Sequence, residues 1–269
     1  MKKMIAPSMT LLAVFCASSA FATEQKLGTQ TGQELGLSLS YYQFEVSDVD
    51  IEGDKLTDTE LDGAKIGVDY TTTMALQNDW FFKLNGRLAY GEVDASSKFN
   101  GASLNLDNNS DLYYEIRPLV GKDFSITNGT LAPYLGFGYR YLRNELSGND
   151  ETGAFEFDRT SQYYYLPVGL IYRAALDSQS LLETTLEYDY LIQGEQDSDI
   201  SVGSLSVSSE NTQNNGYGIK FSSLYRINDI AFGPYIDYWS IDKSDLSDVG
   251  YYEPSNETFE VGIKASMRF

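Results

Sequence analysis

The chain of 269 residues contains no histidine. Acid–base and nucleophile-activating chemistry near neutral pH leans on imidazole, so the commonest routes to a hydrolase or transferase site are closed. Its single cysteine is Cys16, near the N-terminus. Carboxylates dominate instead: 39 Asp and Glu stand against 19 Lys and Arg, for a net charge of −20. A hydrolase working with carboxylates alone stays open in principle, but no Gly-rich phosphate loop or nucleophile elbow accompanies them, and the expectation is that the chain is not an enzyme and carries no resident cofactor. The sharpest local constellation is Asp48-Val49-Asp50-Ile51-Glu52-Gly53-Asp54. Alternating carboxylates followed by glycine open a calcium loop, which makes Asp48, Asp50, Glu52 and Asp54 candidate ligands for a divalent cation. Thr59 stands where the closing bidentate glutamate belongs, however, and Glu60 comes one residue late. The competing reading is a solvated acidic loop.

The N-terminus carries Lys2 and Lys3, an apolar run from Met9 to Phe15, and the small-residue sequence Ala20-Phe21-Ala22. These are the charged, apolar and A-x-A cleavage regions of a secretory signal. The apolar run falls short of the roughly 18 residues of a membrane helix. Residues 1–22 are therefore expected to be removed, taking Cys16 with them and leaving a mature chain with no thiol. Acylation at Cys16 would want a small residue before it, where Phe15 stands.

The elements that must position any site are strands. In the last stretch Phe259, Val261, Ile263, Ala265, Met267 and Phe269 alternate strictly with Glu260, Gly262, Lys264, Ser266 and Arg268. Period-two alternation puts the two sets on opposite faces. The same pattern recurs about nine times upstream, as in Leu35-Leu37-Leu39-Tyr41, Ala64-Ile66-Val68-Tyr70 and Leu182-Thr184-Leu186-Tyr188-Tyr190, each run near the roughly 9–11 residues of a tilted transmembrane strand. Links alternate between short, as at Thr72–Asn78, Ser125–Gly129, Ala174–Gln179 and Ile227–Ile230, and long and polar, at Ser47–Glu60, Glu92–Asp111, Glu145–Arg159, Glu195–Glu210 and Asp242–Glu257. Aromatic residues gather at the strand ends, and a soluble β-sandwich offers no reason for that. Pro118, Pro133, Pro167 and Pro234 fall inside strands and predict bulges or strand ends.

A terminal phenylalanine preceded by apolar residues at every second position resembles the C-terminal assembly signal of bacterial outer-membrane barrels, and the signal peptide at the other end strengthens the likeness. The whole mature chain resembles the small outer-membrane β-barrels, the group of opacity-type and porin-like proteins. The resemblance implies an all-β fold: a closed antiparallel transmembrane barrel of about ten strands over residues 34–269, after a short periplasmic segment at 23–33. It implies short periplasmic turns and five long extracellular loops. It also implies outer-membrane lipid, lipopolysaccharide and the barrel-assembly machinery as partners, the last reading Phe259, Val261, Ile263, Ala265, Met267 and Phe269. Enzymes of this group resemble one another in needing a histidine, so this chain cannot share their mechanisms.

The opposite face of each strand lines the lumen. It carries Lys65, Lys83, Arg87, Arg117, Arg140, Lys220 and Lys264 against Asp69, Glu115, Glu187, Asp189, Asp237 and Glu260. So near-neutral a set is tolerable away from water only if it pairs. The expectation is a salt-bridged, largely closed lumen with a structural or surface-interaction role; the alternative is a narrow channel for small solutes or ions. Without its signal the chain carries a net charge near −22, nearly all of it in the five long connections. Such loops disfavour nucleic acid as a partner and leave divalent cations as their possible ligands. The extracellular partner is not legible.

Overall fold

The computed structural model describes residues 27–49, 55–99, 102–150, 153–202, 205–246 and 252–269. Its thirteen strand segments join into ten staves. We number them β1 (Gly32–Val49), β2 (Lys55–Ala75), β3 (Trp80–Phe99), β4 (Ala102–Lys122 continued by Phe124–Ile126), β5 (Gly129–Gly136 and Gly138–Asp150) and β6 (Gly153–Ala175). The remainder are β7 (Ser180–Val202), β8 (Leu205–Gln213 and Gly216–Ile227), β9 (Ile230–Ile241) and β10 (Ser255–Arg268). Every stave pairs antiparallel with its neighbours in the chain, and β1 pairs with β10 to close the ring. The terminal residue completes that seam: Phe269 N–H donates to the Gln33 carbonyl at 2.8 Å, and Gln33 N–H returns a bond to Phe269 at 3.2 Å.

What separates a membrane barrel from a soluble one is which face is apolar, and here it is the outside. Leu37 is 61% exposed, Ile66 67% and Ile263 63%, whereas Lys65 is 1% and Asp111 0% exposed. Tyrosines on neighbouring staves stack around the outer end of this band, Tyr114 on Tyr141 at 4.7 Å and Tyr188 on Tyr217 at 6.0 Å. Trp80, Phe124, Phe232 and Phe269 are exposed near the inner end, where the first described residues and Phe269 lie. No described helix is long and apolar enough to cross a membrane; the strands do so.

The expectation of five long irregular connections needs a correction. Four of them are mostly strand: the ladder runs past the apolar band on both arms of each hairpin, and only residues 50–54, 100–101, 151–152 and 203–204 separate the arms. The fifth, between β9 and β10, stays irregular where it is described. The physical reason is an inversion of pattern. On β1 the apolar residues are Leu35 to Tyr41, pointing out; beyond them Tyr42, Phe44 and Val46 are buried inside and Glu45 is exposed. Outside the membrane the exterior is water, so the apolar face turns inward. There Phe44, Leu61, Val93, Leu106, Leu142 and Leu146 form a core of the soluble kind, continuous with Tyr163, Tyr165 and Trp239 below it.

Proline changes the ladder without changing the register. Between β4 and β5 the pairing is interrupted opposite Pro118 and opposite Pro133, yet Ile116 with Tyr139, Leu119 with Gly136 and Phe124 with Leu131 keep one alignment. Pro234 faces a similar gap between β8 and β9. Each proline lacks the N–H that its partner needed. Of the four prolines, Pro167 alone has a bulge close to it, between Tyr164 and Tyr165 on β6 opposite the extra residue Ile192.

Six inward aromatic rings are seated on a glycine directly across the ladder: Phe81 on Gly121, Tyr134 on Gly169, Tyr163 on Gly194, Tyr165 on Gly138, Trp239 on Gly218 and Tyr235 on Gly262. A Cβ at Gly138 would stand 2.1 Å from the Tyr165 ring, and one at Gly169 2.2 Å from Tyr134. Glycine makes room here for rings that fill the barrel. Gly138→Val should therefore displace Tyr165 and lower stability by about 1–3 kcal/mol, the ordinary penalty of overpacking, read from urea unfolding of the folded barrel in lipid vesicles.

Candidate functional site

The lumen is arranged in layers, each built by the inward residues of several staves. At mid-height Arg87 on β3 reaches across to Glu260 on β10 at 2.5 Å and donates to the Tyr235 hydroxyl at 2.8 Å; Tyr235 in turn donates to Glu260 at 2.7 Å. Arg117 pairs with Glu187, which also accepts from Tyr134 at 2.6 Å, and lies 3.3 Å from Glu115. Lys220 pairs with Glu115 and stands 3.8 Å from Asp189 and 3.7 Å from Asp237. Tyr165 donates to Glu115 at 2.5 Å. Lys264 and Asp69 are 3.7 Å apart. A cavity of about 120 Å³ remains among Arg87, Arg117, Glu187, Lys220 and Asp237.

Above this layer two cations rest on rings. Lys65 pairs with Asp111 and sits 3.1 Å from the centre of the Tyr42 ring. Arg140 is 4.8 Å from the Trp239 ring, 5.6 Å from Tyr113 and 5.7 Å from Tyr163, a buried guanidinium enclosed by three aromatic faces. Near the outer end Arg159 bonds Glu253 at 2.8 Å and covers the Phe44 ring at 4.5 Å, tying the last connection to β6. Burial pushes the Glu253 carboxyl up from its ordinary value, against the pull of Arg159. Below the middle layer, Glu34, Glu183 and Asp123 meet Arg173, Arg226 and Arg268, with Lys83 beside them.

All thirteen expected lumen residues thus point inward, but their partners are partly others. Asp111, expected in a long loop, is the partner of Lys65; Arg159 and Glu253, also expected in loops, are buried in the barrel. Lys83 has no carboxylate within ion-pair distance among the described residues. Glu34, Asp123, Arg173, Glu183, Arg226 and Arg268 lie at the inner ends of staves and extend the network there. Their signal was present, since each continues the inward parity of its strand. Among the described residues no cluster of three or more carboxylates is arranged to hold a metal ion. Of the candidate calcium ligands, Asp48 lies in β1, while Asp50, Glu52 and Asp54 lie outside the described residues, as do the signal segment 1–22 and Cys16. Phe259, Val261, Ile263, Ala265, Met267 and Phe269 occupy the outward face of β10 and the end that follows it.

A closed ring with lipid-compatible outside and ionic inside has a counterpart in sequence: residues 8–209 match the family model of the outer membrane protein beta-barrel domain. The chain belongs to that family. It is an outer-membrane β-barrel, and a solved structure agrees with it in fold. The outer-membrane protease OmpT from Escherichia coli superposes with a TM-score of 0.58 at 11% identity, over 92% of this chain and 100% of that one. OprG from Pseudomonas aeruginosa gives a TM-score of 0.41 at 13% identity over 90% and 99% of the two chains, and the transport unit of the autotransporter AIDA-I from Escherichia coli 0.45 at 10% over 93% and 94%. No curated protein matches in sequence. At such identities the likeness to OmpT is one of fold, and its protease activity is a property of that protein.

The outward face of the barrel extensions is the other chemically distinct surface. Like charges stand directly opposite one another there: Glu45 between Glu60 and Glu257, Asp62 opposite Asp94, Asp158 opposite Asp199 and Asp197 opposite Glu210. Such cross-strand pairs oppose pairing. Gln43 relieves one of them by donating to Glu45 at 2.9 Å and to Glu60 at 2.7 Å.

Proposed function

We propose that this outer-membrane barrel is closed and non-enzymatic, and that it acts as a structural and surface-interaction element presenting its acidic hairpins outside the cell. One observation carries the reading: the outer half of the lumen is filled by a contiguous core in which Trp239 and Tyr165 are 0%, Tyr42 1%, Tyr163 and Leu61 2% exposed. A solute leaving the mid-height cavity would have to displace these rings. Lack of histidine removes the commonest catalytic base. On this reading residues 1–22 are cleaved on export, the barrel-assembly machinery reads the β10 terminus, and the like-charge rows share divalent cations with lipopolysaccharide phosphates at the rim. Nucleic acid is not a partner, because the exposed surface that would meet it is anionic.

The test is single-channel recording of the purified, folded protein in planar bilayers. No reproducible conductance steps are expected. Steps that scale with protein and shift in ion selectivity on substitution of Arg87, Arg117 or Arg140 would establish a narrow channel instead.

A further inference from the structure

We propose that the inner mouth of the lumen binds a phosphate-type oxyanion from the periplasmic side. The mouth holds a cavity of about 130 Å³ whose wall includes Glu34, Lys83, Glu183, Arg226 and Arg268. Its cations are short of acceptors. Arg226 and Arg268 share one oxygen of Glu34, at 2.9 and 3.3 Å, while its other oxygen accepts from Arg226 at 3.2 Å and from the Ser266 hydroxyl at 2.5 Å. That leaves Nε and Nη1 of Arg226 and Nη1 of Arg268 buried with no hydrogen-bond partner, and Arg226 is only 3% exposed. Asp123 and Glu183 are both engaged by Arg173, at 3.2 and 2.6 Å. Lys83, whose electrostatic neighbours are Glu183, Arg173, Glu34 and Arg226, has no ion-pair partner among the described residues.

Six cations line or adjoin this wall: Arg117 and Lys264 pair with Glu187 and Asp69 of the layer above, while Lys83, Arg173, Arg226 and Arg268 are left with three carboxylates, Glu34, Asp123 and Glu183, that are already taken. Unsatisfied guanidinium and ammonium donors converging from β3, β8 and β10 suit an anion that accepts in several directions, which a tetrahedral oxyanion does and a planar carboxylate does less well. Thr71, Thr73 and Asn85 add polar groups to the same wall. The core above makes the pocket a blind one, so the ligand enters and leaves from the periplasm. The charge of the molecule is polarised accordingly, anionic rows outside and surplus donors at the inner mouth, which repels such ligands from one end and gathers them at the other.

Calorimetric titration of the folded protein in a zwitterionic detergent tests this, with inorganic phosphate as one probe and dimethyl phosphate as the other. Dimethyl phosphate has the diester group of a lipid head. Saturable binding of phosphate is expected, weakened about tenfold in Lys83→Gln and in Arg268→Gln, the loss of one charge-assisted contact. Binding of dimethyl phosphate alone, equally sensitive to both substitutions, would assign the same site to a lipid head group. Absence of binding by either probe, or binding that both substitutions leave unchanged, overturns the proposal. Lys83→Gln breaks no ion pair within the described residues, and retention of the unboiled gel mobility verifies that each variant is a barrel. Conductance plays no part in the readout, so the result stands apart from the question of closure.

Discussion

Lys65→Met should cost the barrel about 3–5 kcal/mol of stability, the usual penalty for leaving one buried charge without its partner. Lys65 and Asp111 are among the most deeply enclosed ion-paired groups in the molecule, at 1% and 0% exposure. The pair is made by staves of different hairpins, Lys65 on β2 and Asp111 on β4, with β3 between them. Removing the ammonium leaves the Asp111 carboxylate with Asn144, which donates to it at 2.5 Å, as its remaining side-chain hydrogen-bond partner among the described residues, in a layer of rings that cannot solvate it. The double substitution Lys65→Met with Asp111→Leu behaves differently. Replacing both charges by apolar side chains of similar volume is often neutral or stabilising, so the double variant should recover to within about 1 kcal/mol of the parent, with a coupling energy of several kcal/mol between the sites. Urea unfolding in lipid vesicles measures both. Equal destabilisation in the single and double variants would show that the pair matters through shape and not charge.

The alternation that located the staves also hid part of the site. A search for apolar residues pointing outward finds Leu35 to Tyr41 and stops, because at Tyr42 the apolar parity changes sides. Everything beyond reads as polar connection, and with it went Asp111, Arg159 and Glu253, which the ladder carries inward. The inversion is itself legible once water is allowed on the outside: Phe44 and Val46, and Val93 and Ala95, stand two apart with a carboxylate between them, and Leu142 and Leu146 keep the same parity four apart. Ion-pair partners are a different matter. Arg87 and Glu260 lie 173 positions apart, and inward parity restricts each to the lumen without saying which height or which wall it occupies. Height follows from stagger between staves, and stagger follows from ladder details such as the bulge at Ile192, which no local pattern reveals. The prolines show the same limit from the other side. A missing N–H was certain from sequence, but whether the ladder answers with a bulge or with a gap depends on the facing strand.

Trp239→Ala should be the most damaging single truncation inside the barrel, at about 3–5 kcal/mol for the lost volume alone. The indole is 0% exposed, lies 5.0 Å from Tyr165 edge to face and 6.4 Å from Tyr163 in a stack, and rests on Gly218, which has no side chain to fill the void. It is also the nearest of the three rings around Arg140. Its loss weakens the enclosure of a buried guanidinium, a contribution of about 2 kcal/mol where the cation is desolvated. Trp239→Phe keeps a ring over Gly218 and beside Arg140 and should retain more than half of the stability lost in the alanine variant. Combining Trp239→Ala with Arg140→Met should be less harmful than the sum of the two, because the cation that needed the ring is gone. The same alanine variant joins stability to closure: Trp239 stands between the mid-height cavity and the apolar core, so its truncation should produce conductance steps in planar bilayers where the parent gives none. If stability falls and the bilayer stays silent, the barrier lies above Trp239, in the layer of Phe44, Leu61 and Leu142.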